Sequence, residues 1–295
     1  MASKETGIQF LARLGSRPTL SGIEPILFGT EGPHMKDVIE IFGEEGTGKT
    51  EMLVHLICRC ILPEKWNNIH LGGRAAGVIL FDTDSKFSIL RLVHLLEKIV
   101  STKMKESENS VTINSSDMDV FIGSCLKRLK IVLCYNSDQL FITLHSVEDL
   151  ILNDSSISVI MIDSISSFYW MDRQGGGDST AAQESNMRNI TEILNKLVEH
   201  YNLTVLVSKS PMFKKKNENQ IDFNKLNTDD FINEDMELLH SEFLCKSWQR
   251  FVTHRLVLVK LLDSDNQSES FIIGGDCCHG NKKFLINNNG ICFMS

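Results

Sequence analysis

The chain has 295 residues, 42% of them hydrophobic and 23% charged, which is enough for one sizeable core with or without decorations. A formal net charge of −8 and a pI of about 5.6 exclude a polycation, so any contact with nucleic acid must come from local loops or from partners. The first 25 residues contain no secretory apolar core, and no apolar run nears the ~18 residues needed to cross a membrane.

Continuous apolar runs rich in Ile and Val predict strands at 38–42 (VIEIF), 78–82, 129–134 (LKIVLC), 158–162 (SVIMI) and 203–208 (LTVLVS). Runs of this kind suit parallel strands covered on both faces. Helices are expected between them at 49–60, 86–100, 139–152 and 180–200. The alternation predicts an α/β fold, a mostly parallel twisted sheet flanked by helices with right-handed crossovers. Residues 249–260 (QRFVTHRLVLVK), 269–274 and 283–286 read as consecutive antiparallel strands at the C-terminal edge. Residues 101–119 and 211–242 are polar and break the pattern, so they read as surface insertions. The expected division is a lead segment over 1–37 and a core over 38–295 that carries both insertions.

The eight cysteines include no Cys-x-x-Cys pair and are scattered along the chain, which favours reduced thiols over a disulfide framework. DCCHG at 276–280, with Cys292 beyond it, lacks the usual zinc-ligand spacing.

The chemistry begins where the first strand runs into GEEGTGKT, residues 43–50, a complete G-x-x-x-x-G-K-[ST] pattern. Gly43, Gly46 and Gly48 let the backbone N–H groups of Glu44, Glu45 and Thr47 turn inward around phosphate oxygens, and the following helix presents its positive end. Lys49 is placed to reach the β- and γ-phosphates, and Thr50 to ligate Mg²⁺. VIMIDS at 159–164 ends a second buried strand on Asp163, a Walker B carboxylate for the same Mg²⁺ shell. A third acidic strand end, GVILFDTD at 77–84, lies between them. No Asn-Lys-x-Asp base-reading motif of a GTPase is present.

This order of phosphate loop, DTD strand and Walker B strand resembles the RecA-type recombinases, specifically the eukaryotic recombinase and its paralogues. The resemblance covers roughly residues 5–262. It includes GEEGTGKTEMLVHLICRCILP, LFDTD, VIMIDSISSFYWMDR and a late QRFVTHRLVLVK strand. TGIQFLARL, GTEGPHMKDVIEIFG, SSFYW and CKSWQRFVTHR resemble a paralogue more closely than the recombinase itself. The resemblance implies a RecA-like ATPase core that takes ATP and Mg²⁺, a role in homologous-recombination repair, and nuclear localisation beside a cytoplasmic pool. It also implies direct binding to the D-type recombinase paralogue within a four-paralogue complex, and action on the recombinase filament.

Departures from the family pattern bear on mechanism. The family's catalytic glutamate falls at Asp84, and its γ-phosphate-sensing glutamine at Ser210. Aspartate is one methylene shorter, and a displacement of about 1 Å at a catalytic group can cost on the order of 10²-fold in rate. ATP binding with slow or absent hydrolysis is therefore expected. Two alternatives stand beside it: an active DNA-dependent ATPase that performs strand exchange, and a scaffold whose phosphate loop stays empty.

The family's DNA-facing segments correspond to 172–183, which carries Arg173 as a candidate contact, and to 211–242. The latter sets four lysines against eight carboxylates, a net −4 that suits a phosphate backbone poorly. DNA is expected to be reached mainly through the complex. None of the 16 phenylalanines begins the Phe-x-x-Ala segment by which family members insert into a neighbour, and little sequence precedes the core. The expectation is a chain that accepts a neighbour's linker at one end of a hetero-oligomer and does not form a homopolymer.

Overall fold

The computed structural model describes residues 6–7, 17–106, 114–175, 180–212, 242–261, 269–278 and 280–294. In chain order the elements are α1 (Pro25–Phe28), β1 (Val38–Phe42), α2 (Lys49–Ile61), a small β2 (Lys65–Trp66) and β3 (Ile69–His70) hairpin, and β4 (Gly77–Asp82). Next come α3 (Ile89–Glu106), α4 (Ser115–Leu126), β5 (Leu129–Leu133), α5 (Ser137–Asn153), β6 (Ile157–Asp163), α6 (Tyr169–Gly175), α7 (Ala181–Tyr201) and β7 (Thr204–Lys209). The chain closes with α8 (Lys246–Phe251), β8 (His254–Leu261), β9 (Ser270–Gly275), β10 (Lys282–Asn287) and β11 (Gly290–Phe293).

Nine of these strands form one sheet in the order β11-β10-β9-β8-β1-β7-β6-β4-β5. Every residue of β1, β4, β6 and β7 is buried. Strand pleating sends alternate side chains to opposite faces. Ile39, Ile41, Val78, Leu80, Val159, Met161 and Leu206 therefore meet α2, α3 and α4 on one face. Val38, Ile79, Phe81, Ile160, Ile162, Val205 and Val207 meet α5, α7 and Trp248 on the other. Each aliphatic side chain fully buried in this way contributes roughly 1.5–3 kcal/mol over its exposed state. Residues before the first strand share the core, since Leu20, Ile23, Leu27 and Phe28 pack into the first face. Arg17 is also buried, and its guanidinium donates to the carbonyls of Ile157 at 2.6 Å and Ile151 at 2.9 Å.

The C-terminal strands follow one another antiparallel as expected, β8 with β9 and β9 with β10, while β8 also runs parallel to β1 and so joins the two halves of the sheet. The start of the first of them needs correction. Residues 249–251 belong to α8, a six-residue helix whose N-terminus is capped by the Cys245 sulfur, which accepts from the Trp248 amide. Trp248 and Phe251, three apart, lie on one side of that short helix and mimic strand-like apolar density. β11 escaped notice because its four residues begin at a glycine with φ 96° in a tight turn.

The 101–119 segment is also less irregular than its polarity implies. Helix α3 continues to Glu106 and buries Val100, and α4 begins at Ser115 and buries Phe121, Ile122 and Cys125. Residues 107–113 lie outside the described residues, as do 213–241 of the second insertion and 176–179 of the 172–183 segment. The flanks of the latter are helical, in α6 and α7.

Candidate nucleotide site

The parallel strands end side by side. Phe42 is in register with Lys209, and Asp82 with Asp163. The turns that follow β1, β4, β6 and β7 thus converge outside the carboxyl ends of the strands, where open α/β sheets bind ligands.

The loop after β1 has the geometry its glycines require. Gly46 and Gly48 have φ of 80° and 88°, in the left-handed region open to glycine. A Cβ at Gly43 would lie 2.6 Å from Thr47 Oγ1 and 2.7 Å from the Leu258 carbonyl, and one at Gly48 2.5 Å from Ile286 Cδ1. Thr47 Oγ1 donates to the Glu44 carbonyl at 2.8 Å. The Lys49 ammonium folds back on the loop, donating at 2.7 Å to the carbonyls of both Gly43 and Glu44. Burial lowers its pKa to about 8, opposed chiefly by the nearby Asp163 charge.

Thr50 and Asp163 are brought together. Thr50 Oγ1 donates to Asp163 Oδ2 at 2.7 Å, and the Ser208 hydroxyl donates to the other carboxylate oxygen. Burial pushes the Asp163 pKa up against those two hydrogen bonds, and among the described residues no cation forms an ion pair with it. A buried carboxylate beside a hydroxyl at the edge of an open cleft is the hard oxygen donor set that a divalent cation takes up, with water completing its shell. The residues present fit Mg²⁺.

Asp84 lies in the same cleft, engaged elsewhere. It accepts from the Ser167 hydroxyl, and Lys86 Nζ stands 3.5 Å from its other oxygen. The backbone N–H groups of Thr83 and Asp84 donate to the Asp163 carbonyl at 2.8 and 3.1 Å, which locks the DTD turn onto the Walker B strand. Ser210 lines the cleft, and its amide donates to Ser166 Oγ at 3.0 Å.

Together these residues border an open cleft of about 510 Å³, within the roughly 300–1,000 Å³ range of small-molecule sites. Glu45 and Lys86 stand at its mouth, and Phe271 and Ile286 of β9 and β10 form one wall. Sequence reasoning missed that wall, which no motif marks. It also missed Ser208 and Lys86, although Lys86 sits only two residues beyond the DTD turn.

Arg173 is not part of the cleft. It lies in the last turn of α6, its guanidinium 5.5 Å from the Trp170 ring centroid. Behind the site, Glu40 is fully buried in β1. It accepts from Trp248 Nε1 at 2.7 Å and stands 3.4 Å from the buried Lys209 ammonium, which also pairs with Glu242 at 3.0 Å.

A glycine-turned phosphate loop, a hydroxyl–carboxylate pair and this strand order define a RecA-like phosphate-loop protein. The chain belongs to the Rad51 family, whose model matches residues 22–222. Within that family it is similar to DNA repair protein XRCC2 of Mus musculus, at 35% identity over 98% of this chain and 97% of that protein. It is 28% identical to the DNA repair protein XRCC2 homolog of Arabidopsis thaliana, over 77% of this chain and 70% of that protein. A more distant relative is DNA repair and recombination protein RadA of Methanoculleus marisnigri, 25% identical over 61% of this chain and 51% of that protein.

Proposed function

We propose that this recombinase paralogue binds ATP with Mg²⁺, hydrolyses it slowly if at all, and supports homologous-recombination repair by promoting recombinase filaments at breaks and stalled forks. The observation that carries the chemical part is the split state of the cleft. Its binding half is assembled, with the Thr50 hydroxyl 2.7 Å from Asp163 and the loop glycines in place. Its hydrolytic half is not: Asp84 accepts from the Ser167 hydroxyl, and Ser210 offers a short hydroxyl where the family has a glutamine amide.

In this reading the N–H groups of residues 44–48 and the Lys49 ammonium hold the phosphates, with Lys49 exchanging its two carbonyl acceptors for phosphate oxygens. Thr50 and Asp163 hold Mg²⁺, which when bound neutralises phosphate charge. Asp84, one methylene short and held by Ser167, is poorly placed to deprotonate a water.

The sheet edge supports a reading of assembly with a partner. β5 ends the sheet among the described residues, and Ile131, Leu133 and Tyr135 are exposed along and just beyond it. An edge strand with exposed apolar side chains suits strand addition by a partner's linker. The partner proposed is the D-type paralogue within a four-paralogue nuclear complex. DNA is reached mainly through that complex, with Arg173 a minor contact. Copurification of tagged chain with that paralogue, together with titration of ATP onto the purified chain, tests the reading. Failure to bind ATP at millimolar concentration would leave only the scaffold alternative.

A further inference from the structure

Lys86 lines the cleft, and neither phosphate-loop chemistry nor a hydrolytic role accounts for it. It lies in the turn after β4, and that turn is built to present it. The buried Asp82 carboxylate accepts from the backbone N–H groups of Lys86 and Phe87, both at 3.3 Å, and Ser85 takes a left-handed φ of 54° just before them. Phe87 packs against the core, which anchors the far side of the turn. The side chain then reaches across the mouth of the cleft. Its ammonium stands 3.2 Å from Glu45 Oε1, on the phosphate loop, and 3.5 Å from Asp84 Oδ2 on the opposite wall.

The cation therefore spans the space between the loop and the DTD turn. Glu45, Asp84 and Asp163 give that space an acidic border, which by itself would repel a polyphosphate. Lys49 sits deep against the loop carbonyls and Lys86 at the mouth, so the two ammoniums bracket the cleft from inside and outside. Neither ion pair that Lys86 makes is buried, and exposed pairs of this kind are easily exchanged. Phosphate oxygens entering the cleft compete for Lys86 on better terms than Glu45, whose side chain is 86% exposed. The phosphates cradled by the loop amides are already served by Lys49. The group left for Lys86 is the one furthest along the chain of phosphates, between Glu45 and Asp84.

We propose that Lys86 is a second phosphate-binding cation, which exchanges Glu45 and Asp84 for the terminal phosphate and so selects nucleoside triphosphate over diphosphate. This rests on the nucleotide-binding reading above and adds to it the residue that reads the third phosphate.

The test compares ATP and ADP affinities, with Mg²⁺, for the full-length wild type and for Lys86→Gln, Lys86→Glu and Lys86→Arg by calorimetric titration. Removing one charge-assisted hydrogen bond to a phosphate corresponds to about a tenfold change in affinity. The expected result is that Lys86→Gln weakens ATP about tenfold and ADP less than about twofold, with Lys86→Glu worse and Lys86→Arg near wild type. Melting temperatures without nucleotide should stay within about a degree of wild type, because exposed ion pairs stabilise little. Equal losses for ATP and ADP, or no loss for either, would overturn the assignment while leaving nucleotide binding intact. A wild-type chain that binds neither nucleotide would overturn both.

Discussion

Glu40 is the buried acid at the centre of the sheet, and replacing it tests whether the charge network behind the loop holds the site in place. In Glu40→Ala, the Lys209 ammonium loses a partner at 3.4 Å and Trp248 Nε1 loses its acceptor at 2.7 Å. Removing one member of a buried pair typically costs about 3–5 kcal/mol, because the remaining charge is left without compensation. Lys209 keeps Glu242 at 3.0 Å, whose side chain is 17% exposed, so the lower end of that range applies, about 3 kcal/mol. Against a typical stability of about 5–15 kcal/mol that is a large fraction. At roughly 2–4 °C per kcal/mol it lowers the melting temperature by about 6–12 °C. The effect should reach the cleft, since the Lys209 carbonyl accepts from the Gly43 amide at 3.2 Å, where the phosphate loop begins. Urea denaturation followed by circular dichroism gives the stability change, and ATP titration of the folded fraction gives the second effect. Combining Glu40→Leu with Lys209→Met removes the fully buried pair and leaves the partly exposed Glu242 and Arg255 without it, so it should recover part of the loss. A single-variant cost below about 1 kcal/mol, or a double variant no better than the single, would refute this reasoning.

Arg17→Ala removes donors to two buried carbonyls and should cost on the order of 2–3 kcal/mol in thermal or urea unfolding; near-wild-type stability would show that residues before β1 do not stabilise the core. Gly48→Ala forces a φ of 88° on a side chain and a 2.5 Å approach to Ile286 Cδ1, a flexible tip that can turn aside. Stability should therefore fall only by about 1–2 kcal/mol from backbone strain, while ATP affinity falls far more; the reverse pattern would contradict the site. Lys49→Ala should abolish ATP binding and leave capture of the D-type paralogue largely intact, whereas Ile131→Lys with Leu133→Lys should do the opposite in the same copurification. Capture that depends wholly on Lys49 would sink the separation of the two surfaces.

Most of the sheet was legible because its strands are buried on both faces and so read as unbroken apolar runs. VIEIF, SVIMI and LTVLVS leave little choice of state or partner. Sequence reasoning faltered where a short element borrows its stability from neighbours. Trp248 is buried and held by Glu40, 208 positions earlier, and nothing local distinguishes its helix from the strand that follows. The parallel pairing of β8 with β1 is set across the sheet and is not encoded in local periodicity. At the cleft, residues with a fixed spacing were readable, since a strand end and a glycine loop dictate where Lys49, Thr50, Asp84 and Asp163 stand. Ser208, Phe271 and Ile286 enter the site through register and sheet curvature, and Lys86 through the geometry of one turn.

In the proposed function the cleft holds ATP and lacks the groups to hydrolyse it efficiently. Turnover of ATP by the purified full-length chain, with and without single-stranded DNA, tests this most directly when set beside the paired replacement Asp84→Glu with Ser210→Gln. Saturable ATP binding and barely measurable turnover are expected in the wild type. Release of phosphate should be faster in the double variant, by up to on the order of 10²-fold. Robust DNA-stimulated turnover in the wild type, abolished by Asp84→Ala, would contradict the proposed function.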